Sequence, residues 1–143
     1  MDDYLKLKKQ VCFPIYTLSR EIINHYRPFL DELDITYSQY LVLMVLWEDG
    51  LQTVNQIGEK LHLDSGTLTP LLKRLENKGF IARKRRSCDE RMVDITTTEK
   101  GLALKEEVAK VPPKVVEAMG ISPEELAELK EIVERILHKK KQN

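Results

Sequence analysis

Residues 53–79 read TVNQIGEKLHLDSGTLTPLLKRLENKG, and this stretch decides the fold. Thr53-Val54-Asn55-Gln56 fits a capping box, with threonine at the cap and glutamine three residues on. A short helix opens there and runs through Ile57 and Leu61, and His62-Leu63-Asp64 turns the chain. A second helix then places Leu68, Leu71, Leu72 and Leu75 on one face, at spacings of three, one and three. Lys78-Gly79 closes it, with glycine in the usual position after a helix end. The opposite face carries Ser65, Thr67, Thr69, Lys73 and Arg74. Pro70 belongs in a first turn, so either this helix starts as late as Thr67 or it is bent.

Just downstream the period changes. Phe80–Lys84 and Met92–Thr96 read as two short strands around a polar, charged loop, Arg85 to Arg91, which makes a β-hairpin. Two short helices with a tight turn, followed by a charged hairpin, predict a winged helix-turn-helix in a mainly α chain. Small residues at the leading end of the second helix let it enter a major groove about 12 Å wide. Backbone amides at that end suit a phosphate. The hairpin places Arg85, Arg86 and Arg91 against the flanking minor groove or its phosphates. The partner implied is double-stranded DNA.

Charge distribution agrees. The whole chain is balanced, 23 basic against 23 acidic residues, yet Lys73 to Arg91 holds eight basic residues against Glu76, Asp89 and Glu90. From Thr98 to Glu134 the balance tips acidic. Charge alone would equally fit a solvated turn; helix pair, hairpin and position together favour an anionic partner.

The length of 143 residues and 42% hydrophobic content suit one domain with a real core. Six glycines and six prolines argue against disorder. The longest apolar run, Tyr40 to Trp47, is far short of the roughly 20 residues of a membrane span, and Met1-Asp2-Asp3 has the wrong sign for a secretory signal. Two cysteines, Cys12 and Cys88, make no disulfide framework. A soluble cytoplasmic protein is expected. His25, His62 and His138 lack paired-ligand spacing with either cysteine, and no phosphate-binding glycine loop is present, so neither metal nor cofactor is expected.

Helices flank this centre. Val11, Ile15, Leu18 and Ile22 form one apolar stripe, Pro28 precedes a corner at Leu33-Asp34-Ile35, and Thr36 or Ser38 caps a buried helix from Tyr40 to about Glu48. Thr98 caps a helix containing Leu102, Leu104 and Val108, which Pro112-Pro113 interrupts. Ser122-Pro123-Glu124-Glu125 opens a last helix carrying Leu126, Leu129, Ile132, Val133, Ile136 and Leu137, and Lys139-Lys140-Lys141 favours its carboxyl end. A single DNA-reading unit of this size binds weakly. The terminal helices therefore point to a homodimer reading two half-sites of a pseudo-palindromic operator, about one DNA turn apart.

The string Asp64–Glu76 followed by Asp89-Glu90-Arg91 resembles the MarR family of bacterial repressors. Val11-Cys12-Phe13, Tyr16, Ser19-Arg20-Glu21, Tyr26 and Ile35–Tyr40 are similar to its organic-hydroperoxide-sensing branch, OhrR, over nearly the whole chain. The resemblance implies a repressor that senses organic hydroperoxides by oxidation of Cys12 and releases its operator, and not an enzyme. Cys12 matches the peroxide-reactive cysteine, Tyr26 and Tyr37 the tyrosines that hydrogen-bond its thiolate across the dimer, and Tyr16 a third aromatic near it. Ser65, Thr67, Thr69 and Arg74 match the recognition helix, and Asp89 and Arg91 the wing-tip pair that sets an arginine into the minor groove. The division that follows is 1–35 for dimerisation and sensing, 36–100 for DNA binding and 101–143 for dimerisation, in one structural domain.

The chemistry is compatible. A thiolate attacks peroxide, phenols donate to a thiolate without being consumed, and apolar neighbours such as Phe13 favour a greasy hydroperoxide. Read from its own surroundings, Cys12 is also compatible with a small buried core cysteine; the matching tyrosines favour reactivity. Two departures stand out. Pro14 occupies a position where the family pattern carries an aliphatic residue, so either a helical segment starts at Pro14 or the helix kinks there. Cys88 lies in the wing loop, whereas two-cysteine members carry the resolving cysteine in later helices; the chain resembles the one-cysteine type, whose sulfenic acid needs a small cellular thiol. The rival readings are a MarR-type repressor released by a small aromatic ligand, a thiol peroxidase built on Cys12, and an architectural DNA protein.

Overall fold

Helix starts along the chain are fixed locally by side chains that satisfy free amides. Thr36 Oγ1 accepts from the Gln39 amide at 3.2 Å while Gln39 Oε1 accepts from the Thr36 amide at 3.0 Å. Thr53 and Gln56 repeat this capping box at 3.1 and 2.8 Å. Thr98 Oγ1 accepts from the Gly101 amide, and Ser122 Oγ from the Glu125 amide, each at 3.1 Å. The computed structural model describes residues 2–141; Met1 of the acidic amino terminus, and the Asp2, Lys140 and Lys141 side chains, lie outside what it describes.

Two 3-10 turns, Asp2–Leu5 and Leu7–Lys9, lead into α1, Cys12–Glu32. Pro14 neither starts a new segment nor interrupts one. The helix begins at Cys12, and a proline in the first turn lacks only an amide that has no intrahelical partner. The expected corner follows, with Asp34 in the left-handed region at φ 58°. Then comes α2, Tyr37–Asp49, with Tyr40, Val42, Leu43, Val45 and Leu46 all buried. A two-residue strand β1, Gln52–Thr53, leads into α3, Val54–Leu61, and His62 adopts the left-handed conformation that ends it.

The next helix, α4, spans Ser65–Asn77, so the late start at Thr67 is excluded and Pro70 sits inside the helix. Its buried residues are the four expected leucines. Strands β2, Ile81–Arg85, and β3, Val93–Thr97, each lie one residue further along than the sequence pattern placed them. They pair antiparallel, with Arg83 opposite Ile95, and β1 adds to the other edge of β3 through Gln52 opposite Ile95. The sheet order among the described residues is β1-β3-β2. Helix α5, Glu99–Val108, is followed by α6, Val111–Met119. Pro112 and Pro113 therefore open a helix rather than only interrupting one, as residues that need no amide donor do in a first turn. The last helix, α7, is Pro123–Lys141.

The core is a single cluster. Leu43 of α2, Ile57 of α3, Leu68, Leu72 and Leu75 of α4 and Ile95 of β3 are essentially sealed from solvent. This packs the helix-turn-helix and the wing root on α2, while α6 lies on α1. The outer ends of the chain stay uncovered. Val11 just before α1, Phe13, Ile15 and Tyr16 on it, and Ile132, Val133, Ile136 and Leu137 on α7, are exposed.

Candidate DNA interface and thiol site

The leucine stripe fixes which face of α4 points outward. At 100° per residue, the direction opposite the four leucines falls on Gly66, Pro70, Lys73 and Asn77, flanked by Thr69 and Arg74 and, further round, by Ser65 and Thr67. Ser65, Thr67, Thr69, Lys73 and Arg74 are all exposed, as the sequence placed them. At the leading end Asp64 Oδ1 accepts from the Thr67 amide at 2.7 Å. The Thr67 and Gly66 amides hold the Asp64 carboxyl below the usual range, so part of the amide cluster assigned to a phosphate is already occupied.

The wing is organised by its own ion pairs. Arg86 Nε contacts both Asp94 oxygens, at 3.0 and 3.1 Å, and Arg86 Nη2 lies 3.0 Å from Asp94 Oδ1. The Asp94 carboxylate raises the Arg86 guanidinium above its ordinary range, and Nη1 meets Met92 Sδ at 3.5 Å. Arg85 Nη1 donates to the Glu90 carbonyl at 2.9 Å. At the tip, Asp89 Oδ1 accepts from the Arg91 amide at 3.0 Å and stands 3.3 Å from Arg91 Nε, while the Arg91 side chain is 93% exposed. Arg91 thus reaches into solvent while tethered to Asp89, and Arg86 is paired within the hairpin.

Other residues, missed in the sequence, fix the wing against the recognition helix. Arg83 Nη2 lies 3.1 Å from Glu76 Oε1, which pulls the Glu76 carboxyl down. Lys100 Nζ donates to the Lys78 carbonyl at 2.8 Å and covers the Phe80 ring at 4.8 Å. These contacts join residues seven to 22 apart across a helix end and a strand, and no local pattern announces them.

The residues expected to form a thiol site lie apart within one chain. Cys12 is the first residue of α1 and is exposed, and Tyr16, one turn on, is exposed beneath the Arg20 guanidinium at 4.5 Å. Tyr26 and Tyr37 stand together elsewhere, their ring centroids 5.1 Å apart, with Tyr40 at 5.6 and 5.8 Å from them. Fourteen helical residues separate Cys12 from Tyr26, about 21 Å along the axis of α1. Burial first, then the neighbouring phenols, push the Tyr26 hydroxyl well above its ordinary value; burial does the same to Tyr37 and Tyr40. All three are neutral donors at physiological pH. A cavity of about 220 Å³ opens beside Tyr37, lined by Ile23, Leu30 and Ile35 but also by the charged Arg27 and Asp31.

Cys88 is exposed on the wing, beside Arg86. Among the described residues no group of three His, Cys, Asp or Glu side chains is arranged to hold a metal ion, and no helix is long and apolar enough to cross a membrane.

Comparison with known proteins agrees with this geometry. The profile of the transcriptional regulator SarA/Rot family matches residues 24–108. The chain is similar to the organic hydroperoxide resistance transcriptional regulator of Bacillus subtilis (strain 168), 48% identical over 135 residues, which covers 94% of this chain and 92% of that protein. It is similar to reduced AbfR of Staphylococcus epidermidis bound to DNA, at 38% identity and a TM-score of 0.79 over 96% of both chains. It also matches a variant of E. coli MarR complexed with operator DNA, at 25% identity and a TM-score of 0.81, covering 89% of this chain and 93% of that one.

Proposed function

Since the chain belongs to the SarA/Rot family of transcriptional regulators and is a redox-sensing, DNA-binding regulator rather than an enzyme, we propose that Cys12 is its hydroperoxide-reactive residue and that it works as a homodimer. The observation that carries this is the separation of Cys12 from Tyr26 and Tyr37. One chain holds the thiol at the start of α1 and the two tyrosines far from it, Tyr26 four turns along α1 and Tyr37 at the start of α2, so a second copy is needed to complete the site. The exposed apolar side chains at the ends of α1 and α7 supply the contact. Covering a fully exposed side chain of this size is worth about 1.5–3 kcal/mol. Residues 1–35 and 101–143 then build the dimer and sensor, and residues 36–100 read a pseudo-palindromic operator in the cytoplasm.

In the reduced dimer, Tyr26 and Tyr37 donate to the Cys12 thiolate and hold the two copies in one register. The thiolate attacks the terminal oxygen of an organic hydroperoxide. The S–O bond forms, the O–O bond breaks, and the departing alkoxide takes a proton to leave as the alcohol. Cys12 is left as a sulfenic acid, which condenses with a small-molecule thiol to a mixed disulfide and water. The anion that the tyrosines held is gone, the added group needs room, and the two copies rotate as rigid bodies. Their α4 helices lose the spacing of successive major grooves, and the operator is released.

On the DNA, Ser65, Thr67, Thr69, Lys73 and Arg74 face the major groove, Arg91 enters the minor groove with Asp89 setting its angle, and Arg85 meets phosphate. Arg86 acts by shaping the wing through Asp94.

The test is operator affinity by fluorescence anisotropy at fixed salt, with and without cumene hydroperoxide plus a small thiol, for the wild type and Cys12→Ser. Loss of binding in the oxidised wild type alone is expected. Equal tight binding in all four samples would sink the redox assignment and favour release by a small aromatic ligand. Sedimentation of a monomer at micromolar concentration would sink the dimer.

A further inference from the structure

Lys78 is the C-cap of α4, its amide donating to the Arg74 carbonyl at 3.1 Å. Its ammonium reaches across to the other end of the chain. Nζ donates to the Asp34 carbonyl at 2.8 Å and to Gln39 Oε1 at 3.2 Å, and lies 3.5 Å from Asp34 Oδ1. Asp34 is the corner between α1 and α2, in the left-handed region that a non-glycine side chain adopts only at a cost. Gln39 is 1% exposed and stands in the first turn of α2, the turn that also carries Tyr37. Its Oε1 accepts from the Thr36 amide as well, so both lone pairs of that oxygen are used. From the other side Lys100, at the start of α5, donates through Nζ to the Lys78 carbonyl at 2.8 Å.

These partners mark the two places where the chain enters and leaves its DNA-reading part. Asp34 lies at the end of the amino-terminal section, and Lys100 stands at the start of the helix that leads to α6, which lies on α1. Both connectors are thus hydrogen-bonded to the residue that ends the reading helix. We propose that Lys78 is a positioning residue that couples the thiol sensor to α4. It fixes the end of α4 to the corner that carries Tyr37, so that a shift between the two copies turns the reading helix with it. The three donors of its ammonium face three acceptors, so it offers none to a phosphate. An uncharged side chain here would strip Gln39 Oε1 of one buried partner and Asp34 of its cation. Helix α4 would stay folded on its four leucines and lose its fixed angle to the corner. This inference rests on the assignment of Cys12 and Tyr37 to the sensor of a dimer.

Full-length Lys78→Met, Lys100→Met and Lys60→Met test it, all in a Cys88→Ser parent so that one thiol reports. Methionine keeps a straight apolar stem and removes the donors. Operator affinity is measured reduced and after cumene hydroperoxide plus a small thiol, together with the rate of Cys12 oxidation and the salt dependence of reduced binding. The reading is the ratio of oxidised to reduced Kd. Lys78→Met is expected to shrink that ratio about tenfold, the equivalent of one charge-assisted hydrogen bond, with Cys12 oxidised at the parent rate and the salt slope unchanged. Lys100 is exposed, and Lys100→Met should shrink the ratio about threefold; it carries the test if Lys78→Met does not fold. Lys60→Met breaks the Lys60–Asp49 ion pair, which touches neither connector, and should hold the ratio within about twofold. A parent-like ratio in both Lys78→Met and Lys100→Met overturns the inference and leaves the sensor standing. An equal loss in Lys60→Met overturns it too, since the effect is then a general loosening. A salt slope lower by about one phosphate in Lys78→Met would make Lys78 a DNA contact and also overturn it. If the parent itself binds equally before and after oxidation, the sensor assignment has failed and this inference falls with it.

Discussion

The indole N–H of Trp47 donates to the carbonyl of Gly101 at 3.0 Å, joining residues 54 positions apart. Gly101 sits where nothing larger fits, since an added Cβ would stand 2.2 Å from the Phe80 carbonyl oxygen. Thr98 Oγ1 donates to the Gly79 carbonyl at 2.6 Å, and the Thr98 amide to the Phe80 carbonyl at 3.1 Å. Core helix α2, the end of α4, the wing root and the start of α5 are therefore clamped at one point. Gly101→Ala forces backbone apart and is expected to cost about 3 kcal/mol or more, while Trp47→Phe loses one hydrogen bond and some packing, about 1–2 kcal/mol. Urea unfolding midpoints would check both, and a neutral Gly101→Ala would refute the clamp.

The wing arginines are not equivalent. Arg91 is tethered only by Asp89 and reaches into solvent, whereas Arg86 is closed on Asp94 from both nitrogens. Arg91→Ala is expected to weaken operator binding about tenfold and to lower the salt dependence by about one phosphate contact. Arg86→Ala should leave the salt slope unchanged, and Asp94→Ala should mimic it. A salt slope that falls equally for Arg86→Ala and Arg91→Ala would place both on the DNA.

Much of this fold was legible because its signals are short-range. The Thr36, Thr53, Thr98 and Ser122 caps, the leucine stripe of α4 and the Gly79 stop each depend on residues within one or two turns. Alternation over five residues cannot fix strand ends, so β2 and β3 came out one residue early, and β1 is too short to show any period. Pro112-Pro113 read as a break because a proline pair signals the end of one helix and the start of another equally well. The proposed thiol site rests on family resemblance alone. Cys12 and Tyr26 share a helix at a separation that precludes contact, and a pattern within one chain carries no trace of a partner. Glu76–Arg83, Arg86–Asp94 and the third tyrosine depend on how elements cross, which no local motif encodes.

The tyrosine cluster makes stability fall on the alkaline side. Tyr26, Tyr37 and Tyr40 all ionise above the ordinary value of 10.0 when folded, so the folded chain retains protons that the unfolded chain gives up. Their contribution is complete below about pH 10 and is lost as pH rises through the higher folded values. The urea midpoint should therefore decline above about pH 10, and tyrosinate absorbance from these three should appear together with unfolding. Ionisation of all three well before unfolding would contradict the burial that raises them.

Cys88 is exposed in the wing loop between β2 and β3. Cys88→Ser is expected to keep both operator affinity and release by hydroperoxide with a small thiol, within about twofold, as surface substitutions generally do. Mass spectrometry of the oxidised wild type should find the small thiol on Cys12. A Cys12–Cys88 disulfide, or a response abolished by Cys88→Ser, would make this a two-cysteine switch.

Pro70 gives the reading helix an internal conflict. It is the sixth residue of α4, lacks an amide, and so leaves the Gly66 carbonyl without the donor that an ordinary residue there would supply. Both lie near the middle of the outward face, opposite the buried leucines, where a major groove would meet them. An interior proline costs a helix about 3 kcal/mol, offset in part by the freedom it removes from the unfolded chain. Pro70→Ala is therefore expected to raise stability by about 1–2 kcal/mol. Operator affinity should move the other way, by about threefold, because an apolar ring suited to a thymine methyl and a free carbonyl both leave the reading surface. Urea unfolding and anisotropy on the same preparation separate the two effects. If stability and affinity rise together, Pro70 is a flaw in the helix with no part in reading DNA; if they diverge, the strain in α4 is the cost of its recognition surface.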